Sequence, residues 1–304
     1  MKTERRLFVN RRKVFLLTLL LASLAVAVSA PRGGNSANFE TPQKRSTAVV
    51  VFVIAGETDE YHMDAVAIVD GKRLLPPFSD EQKDRQKTFA EKYFATGRSY
   101  RLMFGGGEAG SLTVKKWSEG CNTVHAEVTL SSSARLGGNV RALATNSDSI
   151  GKRPSARRAP TDAERSAVML LMKSIYTEHR TPVSLLPSIK VTNLTATDLD
   201  GDGKYEMIGS FALAATNKFE RDLFLIAKSP GTAMRADFVK FQAYQPPPET
   251  FLSSVDFVDQ LDLDGNGIGE VFAVQEGFDA YAYVIFRKVG GRWRQVYDVI
   301  GDAC

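Results

Sequence analysis

The chain contains the nine-residue stretch Asp-Leu-Asp-Gly-Asp-Gly-Lys-Tyr-Glu at residues 198–206 and repeats it as Asp-Leu-Asp-Gly-Asn-Gly-Ile-Gly-Glu at residues 262–270. The two copies start 64 residues apart, and they agree at positions 1, 2, 3, 4, 6 and 9. Apolar runs of strand type stand before and after each copy. A fixed period predicts a repeated supersecondary unit, here a loop between two β-strands. We call residues 198–206 the first loop and residues 262–270 the second loop.

The acidic residues of both loops have the spacing of a calcium site. Calcium takes six to eight oxygen ligands, and carboxylates at positions 1, 3 and 5 of a tight loop converge on one point. Position 7 would supply its backbone carbonyl oxygen, position 9 would close the shell, and glycine at position 6 allows the sharp turn. The predicted ligands are Asp198, Asp200, Asp202, Lys204 and Glu206 in the first loop and Asp262, Asp264, Asn266, Ile268 and Glu270 in the second. The sequence therefore predicts two sites, both for calcium rather than magnesium, which prefers fewer carboxylates.

Two other interpretations of the loops compete with this one. An EF-hand loop requires glutamate at position 12 and helical flanks, whereas position 12 here is Gly209 or Ala273 and the flanks are of strand type. Asp-Gly-rich segments also form ordinary turns without a metal. Two copies in the same phase favour the metal, because so many like charges in nine residues need a cation to offset them.

The strand–loop–strand pattern resembles the calcium loops of FG-GAP and VCBS-type repeats, as in the integrin α-subunit propeller, over about residues 190–300. The resemblance implies calcium ligands at Asp198, Asp200, Asp202, Glu206, Asp262, Asp264, Asn266 and Glu270. The chain departs from the family pattern in having glutamate at position 9, no evident Phe-Gly signature and only two copies. Two blades do not close a propeller.

The N-terminus predicts export. A basic stretch ends at Lys13, an apolar run extends from Val14 to Val28, and small residues surround Ala27. This is the three-part pattern of a signal peptide at residues 1–27, with an uncleaved anchor as the alternative. We expect a periplasmic, cell-surface or secreted protein, in contact with a membrane only if the segment stays uncleaved.

Charge argues against a nucleic-acid partner. Residues 1–30 contain six basic residues and one acidic residue, so they carry +5 of a total net charge of +4. The remainder of the chain therefore carries −1, which gives phosphate binding no electrostatic support.

With 304 residues and 43% hydrophobic composition, the chain can form one large domain or two small ones. Its strand-type apolar runs predict a mainly β (α+β) fold. Capping boxes at Ser79/Gln82 and Thr161/Glu164 predict helices over Asp80–Ala95 and from 161 to about 180. The glycine-rich stretch Gly105–Gly110 predicts a hairpin turn rather than a phosphate loop, because a strand follows it. The predicted divisions are a flexible lead-in at 28–46, a β-rich domain with one helix at 47–145, an exposed basic linker at 146–160, and a helix followed by the two repeats at 161–304.

Two functions from different classes fit this sequence. The favoured one is a non-enzymatic exported protein with structural calcium and a surface for an extracellular protein or glycan. The alternative is an exported hydrolase, with His62, Asp64 and His125 of the N-terminal domain as the residues to examine. Export also leaves two interpretations of Cys121 and Cys304, a disulfide bond or two free thiols.

Overall fold

The computed structural model describes residues 48–58, 60–78, 83–214, 220–229, 233–244, 254–277 and 280–303. Residues 47–304 form one compact unit. The described residues confirm a mainly β fold, with three antiparallel sheets and two α-helices. The predicted signal peptide, the lead-in and the capping box at Ser79/Gln82 lie outside the described residues. Across the described part of the chain, no helix has the length and apolar character needed to cross a membrane.

Six of the first seven strands build a closed barrel. Their bounds are β1 Val49–Glu57, β2 Glu60–Asp70, β3 Arg73–Leu75, β4 Ser99–Phe104, β5 Gly107–Glu119, β6 Val124–Ser132 and β7 Ala142–Thr145. The strand order is β1-β7-β4-β5-β6-β2, and β2 pairs with β1 to close six strands into a ring, with β3 added to the outside of β2. Helix α1 (Lys83–Tyr93) packs Phe89, Ala90 and Tyr93 into the barrel core.

The two predicted repeats form two four-stranded meanders of the same design. The first repeat sheet consists of β9 Lys190–Thr197, β10 Glu206–Ala214, β11 Glu220–Lys228 and β12 Arg235–Tyr244, with the two-residue strand β8 (Arg157–Arg158) at its edge. The second repeat sheet consists of β13 Ser254–Leu261, β14 Glu270–Glu276, β15 Ala280–Val289 and β16 Arg292–Ala303. In each sheet the predicted loop joins the first two long strands, β9 to β10 and β13 to β14.

The sheets stack in layers, and each repeat sheet is buried on both faces. Helix α2 (Asp162–Glu178) packs Met172 and Tyr176 on the outer face of the first repeat sheet. Its predicted capping box is confirmed, because Thr161 and Glu164 cap each other. The inner face of that sheet packs Phe224 against Phe286 of the second, with ring centroids 5.2 Å apart. The order of layers is therefore helix, first repeat sheet, second repeat sheet and barrel.

Strand β1 lies where the barrel meets the second repeat sheet, which explains its continuous apolar sequence. Val50, Phe52 and Ile54 belong to the barrel core, whereas Val51 and Val53 belong to the core shared with the second repeat sheet. Successive side chains of a strand point to opposite faces, so a strand buried on both faces needs apolar residues throughout.

Residues 146–160 are not the exposed linker that their charge pattern predicts. The side chain of Arg157 is only 4% exposed and lies between the rings of Phe104 and Phe257. Gly151 is buried so closely that an added Cβ would lie 2.4 Å from the sulfur of Met103. The prediction failed because an arginine with aromatic and carboxylate partners can be buried, while the same charge without them stays in water.

Candidate metal centre

The first loop folds around its own carboxylates. Asp198 accepts hydrogen bonds from the backbone N–H groups of Gly201 (2.7 Å) and Gly203 (2.9 Å). Both glycines have positive φ, 72° and 81°, a conformation that disfavours a Cβ. Glu206 reaches back across the loop, where its Oε2 accepts from Leu199 N at 2.9 Å. These contacts turn the carboxyl groups of Asp198 and Glu206 toward the inside of the loop.

The carboxylates of Asp198, Asp200 and Glu206 converge, since one oxygen from each lies within 4.8 Å of the other two. Calcium–oxygen distances are about 2.3–2.6 Å, so oxygens on opposite sides of one ion are roughly 5 Å apart. The three oxygens are therefore close enough together to contact one ion. Asp202, a predicted ligand, is not in this group; its Oδ1 accepts from Lys204 N at 2.7 Å. The side chain of Lys204 is 81% exposed.

The three converging carboxylates of the first loop form no ion pair within the described residues. Within the described residues its one ion pair joins the exposed Lys204 to Asp202 at 3.9 Å. Asp200 Oδ1 is buried without a hydrogen-bond partner. Burial of Glu206, together with the charges of Asp200 and Asp198, raises the pKa of Glu206 to about 7 despite the bond from Leu199 N. Each of these features would be relieved by a bound cation.

The second loop repeats the backbone geometry of the first. Gly267 N donates to Asp262 Oδ2 at 3.0 Å, and Leu263 N donates to Glu270 Oε2 at 2.7 Å. Asp264 and Asn266 accept from backbone N–H groups two residues further along, those of Asn266 and Ile268. The repeat seen in the sequence therefore extends to the backbone hydrogen bonds of the two loops.

The second loop differs in containing an arginine. Arg287 Nε, from β15, lies 2.6 Å from Glu270 Oε1 and 4.0 Å from Asp264 Oδ2. All three side chains are largely buried, with exposures of 14% for Arg287, 1% for Glu270 and 7% for Asp264. In the described part of the chain, no three acidic, histidine or cysteine side chains of this loop converge as they do in the first.

The two loops touch each other. Gly269 N of the second loop donates to Leu199 O of the first at 2.7 Å. Arg153 donates from Nη2 to Gly267 O, and its guanidinium also lies against Gly201. The basic segment therefore contacts an acidic surface of its own chain.

A second polar group lies between the barrel and the second repeat sheet, and we call it the seam cluster: Asp64, His125, Tyr281, Tyr283 and Asp302. Asp64 Oδ1 lies 2.6 Å from His125 Nδ1, and its Oδ2 accepts from Tyr283 Oη at 2.6 Å and Tyr281 Oη at 3.0 Å. His125 Nε2 lies 3.3 Å from Asp302 Oδ2. The hydrogen bond to Asp64 raises the pKa of His125 above 6.5, in spite of its burial.

The seam cluster gives the hydrolase alternative little support. Both ring nitrogens of His125 face carboxylates, so neither is free to accept a proton from a substrate. A cavity of about 270 Å³ adjoins Asp64 and is also lined by His62, Glu57, Arg141 and Glu276. Arg141 already pairs with Glu276, and Glu57 accepts from Gly138 N at 2.7 Å. The charged groups around the cavity are thus committed to the protein.

Comparison with protein-family models, with curated proteins and with solved structures gives no significant match for this chain. The site must therefore be interpreted from its own geometry.

Sequence reasoning missed Arg153 and Arg287, the two basic side chains at the loops. Arg287 lies 17 residues after Glu270 and reaches it only because β14 and β15 pair side by side. The sequence does contain a signal for Arg287. Glu270 and Arg287 are equally far along the chain from the middle of the connection between β14 and β15, so the two residues come side by side when these strands pair. Arg153 gives no such signal, because its place depends on how a distant segment packs.

Proposed function

We propose that this protein is an exported calcium-binding β-repeat protein, in which calcium bound by the first loop stabilises the repeat sheets. The observation that carries this proposal is the convergence of Asp198, Asp200 and Glu206 within 4.8 Å, without an ion pair of their own in the described residues. The resemblance to FG-GAP and VCBS-type loops supports calcium as the ion. Export would bring the first loop to millimolar calcium. Cleavage of the predicted signal peptide at residues 1–27 is tested by intact mass, and protein recovered outside the cytoplasm that retains Met1 would contradict it.

The calcium has a structural role in this proposal because of where the first loop lies. It joins β9 to β10 and contacts the second loop through Leu199 O. A metal that binds only the folded protein stabilises it by RT ln(1 + [L]/Kd), about 2.7 kcal/mol at a hundredfold excess over Kd. Occupancy of this one loop would thus stabilise both repeat sheets.

Thermal unfolding with and without calcium tests the proposal. We expect chelation to lower the melting temperature and calcium to restore it more fully than magnesium. Asp200→Ala should abolish the calcium-dependent shift, while Asp264→Ala in the second loop should reduce it less. An unchanged melting curve after chelation, with no heat of calcium binding by calorimetry, would show that the loops are ordinary turns.

A further inference from the structure

The two repeats place a basic residue at the same position relative to their loops. Met207 and Val271 each follow the last residue of a loop, and they pair with Ala227 and Phe286 of the neighbouring strand. The next residues along those strands are Lys228 and Arg287. By register, Lys228 in the first repeat is therefore the equivalent of Arg287 in the second.

These two equivalent residues have different partners. Arg287 turns into its loop and contacts Glu270 at 2.6 Å. Lys228 instead pairs with Asp237 of β12, with 2.8 Å between Nζ and Oδ2, and makes no ion pair with the first loop. The converging carboxylates of the first loop are thus left without an ion pair in the described residues, whereas Arg287 pairs with Glu270 and lies 4.0 Å from Asp264 in the second loop.

We infer that the protein has a single calcium site, in the first loop, and that Arg287 takes the place of the metal in the second. This inference rests on the proposed function, since it assumes that the first loop binds calcium. A guanidinium is a permanent cation with several N–H donors, so it can balance carboxylates that would otherwise need a metal. With Nε already 2.6 Å from Glu270, a calcium ion in the second loop would have to displace a buried ion pair.

Arg287 also makes a contact outside the second loop, and this contact does not depend on calcium. Its Nη1 donates to Lys72 O at 3.0 Å, in the turn between β2 and β3 of the barrel. The same guanidinium therefore connects the second loop to the barrel. This attachment needs no calcium, whereas under the proposed function the stability of the first loop rises with the calcium concentration.

The stoichiometry of calcium binding tests this inference. Equilibrium dialysis with calcium alone should give one equivalent per chain for the wild-type protein and none for Asp200→Asn. Arg287→Gln removes the charge and leaves a hydrogen-bonding side chain, so it should raise the stoichiometry from one to two. Arg287→Lys keeps the charge and should stay at one, as should the matched first-repeat variant Lys228→Gln.

The outcomes separate the inference from the proposed function. A wild-type protein that binds no calcium overturns the proposed function. Two equivalents in the wild type, with one left in Asp200→Asn, would overturn the inference and leave the proposed function standing. A folded Arg287→Gln protein that still binds one equivalent also overturns it. If Arg287→Gln does not fold, the wild-type and Asp200→Asn stoichiometries decide the question.

Discussion

Arg157 and Arg158 are neighbours on β8 but stand in opposite environments. The guanidinium of Arg157 lies 4.7 Å and 4.8 Å from the ring centroids of Phe104 and Phe257, and 3.6 Å from Asp259. Asp259 in turn accepts from Gly105 N at 2.9 Å. The side chain of Arg158 is 37% exposed, and it pairs with Glu164 at 2.7 Å. One residue therefore joins the barrel hairpin to β13, while the other forms a surface ion pair.

This contrast gives a matched pair of variants. We expect Arg157→Ala to lower the free energy of unfolding by roughly 3–5 kcal/mol, because it leaves the carboxylate of Asp259 buried and unpaired. Arg158→Ala should cost only about 0–1 kcal/mol, as exposed ion pairs usually do. Urea unfolding of both variants measures the difference. Equal losses would mean that the buried pair has no special role.

His125 makes stability depend on pH. Its pKa is raised above 6.5, mainly by the hydrogen bond to Asp64, so its stabilising contribution is complete below pH 6.5 and is lost as the pH rises through the folded pKa. Burial raises the pKa of Asp64, but His125, the charge of His62 and the hydrogen bond from Tyr283 together outweigh burial and leave that pKa below 3.8. The contribution of Asp64 is thus present above pH 3.8 and is lost as the pH falls through the folded value.

The pair should therefore stabilise the protein most between about pH 4 and 6.5. Urea unfolding measured through this range and above it should show the stability of the wild-type protein declining as the pH rises past 6.5. His125→Gln, which cannot be charged, should be less stable at pH 6 and should lack this decline. Parallel pH profiles for the two proteins would show that His125 is not the group responsible.

At the scale of elements, the hairpin between β4 and β5 connects the barrel to the rest of the molecule. The predicted turn is confirmed: β4 ends at Phe104, β5 begins at Gly107, and Gly105 and Gly106 have positive φ. Gly107 has ordinary backbone angles, but a Cβ there would lie 2.4 Å from Arg153 O and 2.5 Å from Ser155 N. The hairpin therefore approaches the 153–155 backbone too closely for any side chain.

Substitution at this hairpin should loosen the 153–155 segment, which reaches the first and second loops. We expect Gly107→Ala to destabilise the protein by roughly 1–3 kcal/mol, the usual cost of overpacking, and to expose the backbone amides of Arg153 and Ser155 to hydrogen exchange. Gly290→Ala is the control, because a Cβ there meets no atom within 4 Å and only the strain of its φ of 59° is added. Unchanged exchange at 153–155 in Gly107→Ala would contradict the close approach.

Local sequence patterns predicted most elements but not their partners. The apolar runs before and after each loop lie in strands, as the sequence predicts. Closure of the barrel could not be predicted, because the pairing of β1 with β7 joins residues about ninety positions apart. Such pairings depend on the complete set of strands, whereas periodicity reports only which face of one strand is buried.

The sequence likewise predicts the candidate site only in part. Positions 1, 3 and 9 of the first loop converge as their spacing predicts, because backbone N–H groups of the same loop orient Asp198 and Glu206. Asp202 points elsewhere, since the N–H of Lys204 captures its carboxylate. The nine residues of a loop do not give the full charge around it, because Arg287 of β15 lies outside the second loop in sequence.

For the whole molecule, the end of the last strand returns to the barrel. Asp302 of β16 accepts from Asn122 N at 2.9 Å and Cys121 N at 3.3 Å, in the turn between β5 and β6. Asn122 Nδ2 donates to Ala303 O at 2.7 Å. Cys121 is disulfide-bonded, and no free cysteine occurs among the described residues. Cys304, the predicted partner, lies outside the described residues.

The Cys121–Cys304 bond is the longest-range link that the sequence predicts, since it would close residues 121–304, more than half of the chain, into one loop. The chain-entropy model gives on the order of 5 kcal/mol for so long a loop. Reduction should therefore lower the melting temperature of the wild-type protein. Cys121→Ser should already melt at the lower temperature and should not respond to the reductant.

Calcium and the disulfide would act on different parts of the molecule, so their effects should add. The first loop lies between β9 and β10, whereas Asp302 and Cys121 lie where β16 meets the barrel. Stabilising effects at separate sites without shared partners are usually additive. Chelation should therefore lower the melting temperature of Cys121→Ser by about as much as that of the wild-type protein. Non-reducing peptide mapping completes the test, and two alkylatable thiols in unreduced protein would rule out the bond.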